Sequence, residues 1–149
     1  MKQTDEEQMS GLVAFTSQQT NPFGARIVRT ATGEVLIEVA NRVSEDIDPS
    51  AHAELRAVRL ACQKLESLSL AGYTLYTTCE PCPMCMASAL WAHLDRVVYG
   101  ATIDDAAKHC SQIYVFAQEL TQRSDFTTVV HGPCLRPECY ALFTRLMPA

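Results

Sequence analysis

Apolar residues recur along the chain with two different spacings, and the alternation between them predicts the order of helices and strands. Thr4-x-x-Glu7 has the pattern of a helix capping box, and Met9 and Leu12 follow at helical spacing. Short runs rich in β-branched and aromatic residues predict strands. Further helices are predicted over 51–68, 82–93, 112–119 and 136–147, and strands over 25–30, 35–40, 73–78, 96–100 and 126–130.

This order of elements predicts one α/β domain over residues 1–149. The first two strands are joined by Ala31-Thr32-Gly33-Glu34 and are expected to form an antiparallel hairpin. The later strands alternate with helices, which is typical of a largely parallel sheet covered on both faces. The helix before the last strand allows a crossover that makes the last two strands parallel. The sheet is therefore expected to be mixed, with its functional site at the carboxyl ends of the strands.

Composition narrows the class of protein. The chain has 149 residues, of which 48% are hydrophobic and 19% charged, as in an ordinary globular protein. No apolar run approaches the length of a membrane span, and the acidic, polar start is unlike a secretory signal. Seven cysteines that include a C-x-x-C motif suit a reducing compartment better than a disulfide framework. A cytoplasmic protein is expected.

The charge pattern bears on the partner. The net charge is −5, and the twelve lysines and arginines are scattered along the chain. Proteins that bind nucleic acid normally present a basic face, because neutralising phosphates drives much of their affinity. A small-molecule substrate is therefore favoured over nucleic acid.

Two short motifs carry the chemistry: His52-Ala53-Glu54 and Pro81-Cys82-Pro83-Met84-Cys85. His52, Cys82 and Cys85 supply three zinc ligands and leave the fourth tetrahedral position open for water, as in a catalytic site. Pro81 is predicted to open a helix whose dipole favours the thiolate forms of the two cysteines. Glu54 is then placed to move a proton between that water and a leaving group. A structural zinc site or a disulfide is the alternative interpretation.

These motifs form the pattern H-x-E … P-C-x-x-C, which is the signature of zinc-dependent base deaminases. The chain resembles the cytidine deaminase superfamily, and within it the bacterial guanine deaminases and the tRNA adenosine deaminases. The segments that carry the resemblance are Asn21-Pro22-Phe23-Gly24-Ala25, Asn41-Arg42-Val43, Asp48-Pro49-Ser50-Ala51-His52-Ala53-Glu54 and Leu75-Tyr76-Thr77-Thr78-Cys79-Glu80-Pro81-Cys82-Pro83-Met84-Cys85.

The resemblance implies a three-layer α/β/α sandwich with a five-stranded mixed sheet, the cytidine deaminase-like fold. It also implies a homodimer with one zinc ion (Zn2+) and one activated water in each subunit. Carried over by position, it gives His52, Cys82 and Cys85 as the metal ligands and Glu54 as the catalytic proton shuttle.

The resemblance further implies contacts with the substrate. Asn41 corresponds to an asparagine that hydrogen-bonds the base, and Phe23 to an aromatic residue that packs on its ring. The backbone amides of Ala53 and Cys82 would position the substrate or stabilise charge at the reacting carbon. Trp91, six residues after Cys85, is similar to a tryptophan of the guanine deaminases and is also expected at the substrate.

The resemblance does not define which nucleobase is the substrate. Guanine deaminases carry an acidic Phe-Asp-Asp stretch after the fourth strand, whereas segment 104–113 of this chain has its acids displaced and Gln112 near the expected position. The same segment makes His109 and Cys110 candidates for the lining of the pocket. The chain also lacks the C-terminal tyrosine of the guanine enzymes and the basic C-terminal helix of the tRNA enzymes.

The function expected from these residues is hydrolytic deamination of a free nucleobase with a 2-amino-4-oxo edge, with guanine to xanthine as the leading case. Isocytosine or a related aminopyrimidine or triazine shares that edge and stays open. The alternatives are a tRNA wobble-adenosine (A-to-I) deaminase, a nucleoside or cytosine deaminase, and an inactive zinc-stabilised homologue. Glu54 argues against the last of these, because an inactive protein has no need of that carboxylate.

Overall fold

The computed structural model describes residues 1–149 and contains five strands and seven helices. None of the helices is both long enough and apolar enough to cross a membrane. In chain order the elements are α1 (Asp5–Thr16), β1 (Gly24–Arg29), β2 (Val35–Ala40), α2 (Val43–Asp46), α3 (Ala53–Leu65), β3 (Tyr73–Cys79), α4 (Pro83–Trp91), β4 (Arg96–Ala101), α5 (Ile103–Ala106), α6 (Ala117–Gln122), β5 (Val129–His131) and α7 (Arg136–Leu146).

The five strands form one mixed sheet in the order β2-β1-β3-β4-β5. β1 pairs antiparallel with both β2 and β3, and β4 pairs parallel with both β3 and β5. The predicted hairpin and the predicted parallel pairing of the last two strands are therefore confirmed. Because β3 and β4 run in the same direction, their carboxyl ends lie at one edge of the sheet, where β3 leads into the cysteine motif.

Helices cover both faces of the sheet, which confirms the three-layer α/β/α arrangement. Neighbouring strand residues point to opposite faces, so Leu75 and Val97 join the core under α3, α4 and α6. Tyr76 and Val98, one position further along their strands, join the core under α1 and α7. Both cores are built from buried apolar residues, so the edge that carries the motifs rests on a rigid base.

The predicted capping box at the start of α1 is present. The Glu7 amide donates to Thr4 Oγ1 at 3.1 Å, and the Thr4 amide donates to Glu7 Oε2 at 2.8 Å. Asp5, the first residue of this helix, accepts a bond from Tyr76 Oη at 2.6 Å and two bonds from Arg96 at 2.7 and 3.1 Å. This carboxylate therefore ties α1 to β3 and β4.

Two helices begin and end differently from the prediction. The helix predicted over 51–68 is α3, which starts after His52 and ends where Glu66 takes a left-handed conformation. The helix predicted from Cys82 is α4, whose first residue is Pro83 and not Pro81. Either Pro81 or Pro83 could be the first residue of the helix. Because Cys82, which lies between them, has an extended backbone, only Pro83 lies inside the helix.

The segment between β4 and β5 was predicted least well. The helix expected over 112–119 lies instead at α6, and residues 107–116 have no regular secondary structure. The single-turn helices α2 and α5 were not predicted. The strand predicted over 126–130 is the shorter β5. The first residues of α5 and α6 both donate to the buried carboxylate of Glu80, a contact over more than twenty residues that local patterns do not encode.

Asp5→Asn should lower the free energy of unfolding by about 1–3 kcal/mol at neutral pH, because it weakens charge-assisted bonds to Arg96. The Arg96 bonds also lower the pKa of Asp5. This carboxylate thus stabilises the fold above its unfolded pKa of about 3.9, and the contribution is lost as the pH falls below that value. The difference between wild type and variant should therefore shrink on acidification.

Urea unfolding at pH 7 and near pH 3 measures both effects. Glu6→Gln is the matched control, since Glu6 lies in the same first turn but is exposed and makes no comparable bonds. An equal loss for both variants at pH 7 would contradict the assignment.

Candidate metal centre

Two helix starts face each other at the carboxyl edge of β3. His52 is the residue immediately before α3, and Cys82 is the residue immediately before α4. Both have extended backbones, and neither side chain caps its own helix. Because these side chains are not used for capping, both remain available as ligands. Cys85 lies in the first turn of α4 and is fully buried.

The three predicted ligands converge on one point. His52 Nδ1 lies 3.6 Å from both Cys82 Sγ and Cys85 Sγ, and the three ligand atoms all lie within 4.8 Å of one another. Zinc holds nitrogen at about 2.0 Å and sulfur at about 2.3 Å, so tetrahedral coordination would separate a nitrogen from a sulfur by about 3.5 Å. The donor atoms therefore have the spacing that zinc requires, with three protein ligands and no fourth.

The surroundings favour a thiolate at Cys82. Its pKa is lowered to about 4, mainly by a hydrogen bond from the Cys85 thiol and also by His52. The contact with Cys82 in turn raises the pKa of His52. A thiolate that already forms at neutral pH binds a metal ion without first losing a proton.

Glu54, the second residue of α3, is buried beside these ligands. Only 5% of its surface is exposed. Burial, and next the negative charge of Cys82, raise the pKa of its carboxyl to about 7. A carboxyl group that titrates near neutral pH can both take up and release a proton, which suits a general acid and base.

The ligands and Glu54 open onto a cavity of about 470 Å³, within the usual size range for small-molecule sites. Fourteen residues line it, and they come from both motifs, from the loops before β1 and after β2, from the segment after α5 and from the end of α7. They are Phe23, Asn41, Pro49, His52, Glu54, Cys79, Glu80, Cys82, Met84, Cys110, Ser111, Gln112, Ile113 and Met147.

Phe23 and Asn41, which the family resemblance implies as substrate contacts, both line the cavity. Asn41 Oδ1 accepts a bond from the Val43 amide at 3.0 Å, while its Nδ2 donates to no protein group. Phe23 packs edge-on against Phe143 with ring centroids 5.3 Å apart. One side of the cavity therefore offers a free amide donor, and another offers an aromatic surface.

Ala53 and Trp91 are placed differently. Ala53 is buried between His52 and Glu54 as the first residue of α3, where backbone amides have no partner within the helix. Trp91 is the last residue of α4, at the end far from the ligands. It is 72% exposed, packs against Phe126 and does not line the cavity. The structure therefore does not bring Trp91 to this site, because it lies at the opposite end of the nine-residue helix α4 from Cys82.

Several lining residues were not expected at the site. Met84 belongs to the cysteine motif, but Ser111, Ile113 and Met147 lie in segments with no regular pattern. Of the two candidates in segment 104–113, Cys110 lines the cavity and His109 does not.

Among the lining residues, Glu80 connects distant segments of the chain through hydrogen bonds to its carboxylate. It is 7% exposed, and its two carboxylate oxygens accept bonds from the Ile103 amide at 3.1 Å and the Ala117 amide at 3.0 Å. These amides are the first residues of α5 and α6. One carboxylate thus holds both ends of the irregular segment that contributes residues 110–113 to the cavity.

Residues 3–101 match the family described as the cytidine and deoxycytidylate deaminase zinc-binding region. The chain belongs to this zinc-binding family, and His52, Cys82 and Cys85 are the residues that would hold the ion.

Two similar proteins carry different activities. The chain is 46% identical over 87 residues to a guanine deaminase of Bacillus subtilis, covering 58% of this chain and 54% of the relative. It is 39% identical over 95 residues to a tRNA-specific adenosine deaminase of Aquifex aeolicus, covering 64% of this chain and 60% of the relative. The chain thus spans little more than half the length of these relatives.

A solved guanine deaminase from Nitrosomonas europaea has the same fold. It superposes with a TM-score of 0.85 over 96% of this chain and 84% of that chain, at 24% identity. The superposition extends to the segments beyond residue 101, where the family match ends.

Cys82→Ser should reduce zinc content strongly, because it replaces a soft thiolate with a poor ligand. Cys79→Ala is the matched control. Cys79 forms a second C-x-x-C with Cys82 and lies in the cavity wall, but it is not part of the ligand cluster. Metal analysis of the purified variants measures the effect. Equal zinc loss in both variants would contradict the ligand assignment.

Proposed function

We propose that this protein hydrolyses the exocyclic amino group of a free nucleobase with a 2-amino-4-oxo edge, with guanine as the leading substrate and xanthine and ammonia as products. The observation that carries the proposal is the composition of the cavity. His52, Cys82, Cys85 and Glu54 open onto a small-molecule-sized space whose lining contains no lysine and no arginine.

The lack of basic side chains in the lining bears on the substrate class. Nucleotides and RNA carry phosphates, and proteins that bind them place lysine or arginine near those charges. Here the charged lining residues are the carboxylates of Glu54 and Glu80 and the zinc ligands. A neutral base fits this lining better than a phosphate-bearing substrate. The net charge of −5 favours the same choice.

The proposed roles follow from position. Zinc bound by His52, Cys82 and Cys85 would lower the pKa of a water molecule into the neutral range. Glu54 takes a proton from the attacking water and delivers it to the departing amino nitrogen, which leaves as ammonia. The backbone amides of Ala53 and Cys82 stabilise charge on the ring at the reacting carbon.

Recognition of the base is assigned to three side chains. Phe23 packs on the ring face, and the free Nδ2 of Asn41 donates to a ring nitrogen or carbonyl. Gln112 Nε2 contacts Cys110 Sγ at 3.3 Å, and its Oε1 accepts from no protein group, so it can accept from an N–H of the base. This pairing of one donor with one acceptor suits the amino-oxo edge. No role in this cavity is proposed for Trp91.

Glu54→Gln should reduce turnover by about 10²–10⁴-fold while leaving zinc bound, because the amide keeps the shape of the side chain but cannot carry the proton. Ammonia release and zinc content, measured on the same sample, separate the two effects. Glu45→Gln on the exposed helix α2 is the control and should match wild type. Turnover that survives in Glu54→Gln would refute the role of Glu54.

The substrate class is tested by ammonia release from guanine, isocytosine, cytosine, adenine and guanosine at equal concentrations. The proposal predicts release from guanine or isocytosine and none from adenine or cytosine, since guanine and isocytosine present the 2-amino-4-oxo edge and adenine and cytosine do not. A tRNA substrate tested in parallel should be inert. Silence on all five compounds, with salt-sensitive turnover of tRNA, would overturn the free-base proposal in favour of the tRNA alternative.

A further inference from the structure

His109 lies behind the cavity wall and connects two distant parts of the chain. It is half-buried in the irregular segment after α5. Its Nδ1 lies 2.6 Å from the backbone carbonyl oxygen of Met147, and its Nε2 lies 3.0 Å from Tyr140 Oη on α7. Both ring nitrogens are therefore engaged, although His109 itself does not line the cavity.

The partners define the tautomer of the ring. A carbonyl oxygen can only accept, so Nδ1 must carry the hydrogen that is donated to Met147. In a neutral imidazole Nε2 is then an acceptor, and the Tyr140 hydroxyl donates to it. A ring fixed at both nitrogens has one orientation, which makes it suited to hold Met147 in one place.

The contacts of His109 reach the cavity wall in three ways. Met147 lines the cavity, and so does Cys110, the residue next to His109 in the chain. The His109 ring also packs against Phe143 at 5.6 Å, and Phe143 packs against Phe23 at 5.3 Å. Movement of His109 would therefore loosen Met147, Cys110 and Phe23 together.

We propose that His109 is a positioning residue that holds Met147 as a wall of the cavity and thereby restricts the site to substrates of the size of a free base. The size selection rests on the proposed function. Without the imidazole, the Met147 carbonyl loses its hydrogen bond, and this part of the cavity wall can move to admit a base that carries a sugar.

The kinetic test compares His109→Ala with wild type on guanine and guanosine. Loss of one intramolecular hydrogen bond corresponds to about a fivefold effect on binding, so KM for guanine should rise about fivefold with kcat within about twofold. The ratio of kcat/KM for guanosine to that for guanine should also rise about fivefold. His109→Asn, which can keep a donor near the position of Nδ1, should restore much of the wild-type behaviour.

His131→Ala is the matched control, because His131 is exposed on β5 and outside the cavity. It should leave both the ratio and KM unchanged. If His109→Ala instead lowers kcat/KM equally for all substrates, leaves the ratio unchanged and lowers Tm, His109 has only a general structural role and the proposal is overturned.

A second readout does not depend on turnover. The Met147 amide donates to the Phe143 carbonyl at 2.8 Å, and in His109→Ala its hydrogen exchange should quicken about tenfold. In wild type, ¹⁵N spectra of the histidine rings should show His109 protonated at Nδ1. Unchanged exchange together with an Nε2–H ring would overturn the contact itself. Faster exchange in a protein whose wild type turns over no base would support the contact and overturn the proposed function.

Discussion

Three metal ligands from two distant segments have to meet at one point, and the rest of the site depends on how the fold satisfies that requirement. His52 and the two cysteines are thirty or more residues apart in the chain, yet His52 Nδ1 lies 3.6 Å from each sulfur. The meeting depends on α3 and α4 both beginning at the same edge of the sheet, each with a ligand just before or within its first turn. Because neither ligand caps its helix, the helix ends contribute their dipoles to the site while the side chains stay free for the metal.

The remainder of the cavity is built around that centre by longer-range contacts. Glu80 follows β3, and its carboxylate accepts hydrogen bonds from the first residues of α5 and α6. These bonds fix the irregular segment 107–116 beside the ligands. His109 in that segment then holds Met147. The shape of the cavity thus depends on polar contacts, which constrain direction more strongly than apolar packing does. The chemistry is supplied by two short motifs, and the shape by residues up to about a hundred positions away from them.

Features of the fold and the site that depend on local sequence could be predicted, and features that depend on long-range contacts could not. The sheet, its mixed topology and the ligands could be predicted because periodicity, turn residues and the two motifs are local signals.

Pro83 rather than Pro81 is the first residue of α4. Both prolines are compatible with a helix start, and only the extended backbone of Cys82 decides between them. The helix expected over 112–119 was misplaced because Glu80 sets the start of α6. Trp91 was expected at the substrate from resemblance alone, and the length of α4 places it elsewhere. Met147 could not be predicted, because its place depends on His109.

The central claim is that three protein ligands hold zinc and leave one position open. Zinc K-edge X-ray absorption on the purified, zinc-loaded protein tests it most directly. The account predicts four-coordinate zinc with two sulfur neighbours at about 2.3 Å and two nitrogen or oxygen neighbours at about 2.0–2.1 Å, one of them exchangeable and displaced by an added anion. A closed shell of four protein ligands, such as a third sulfur with no exchangeable neighbour, would contradict it and leave the metal with a structural role.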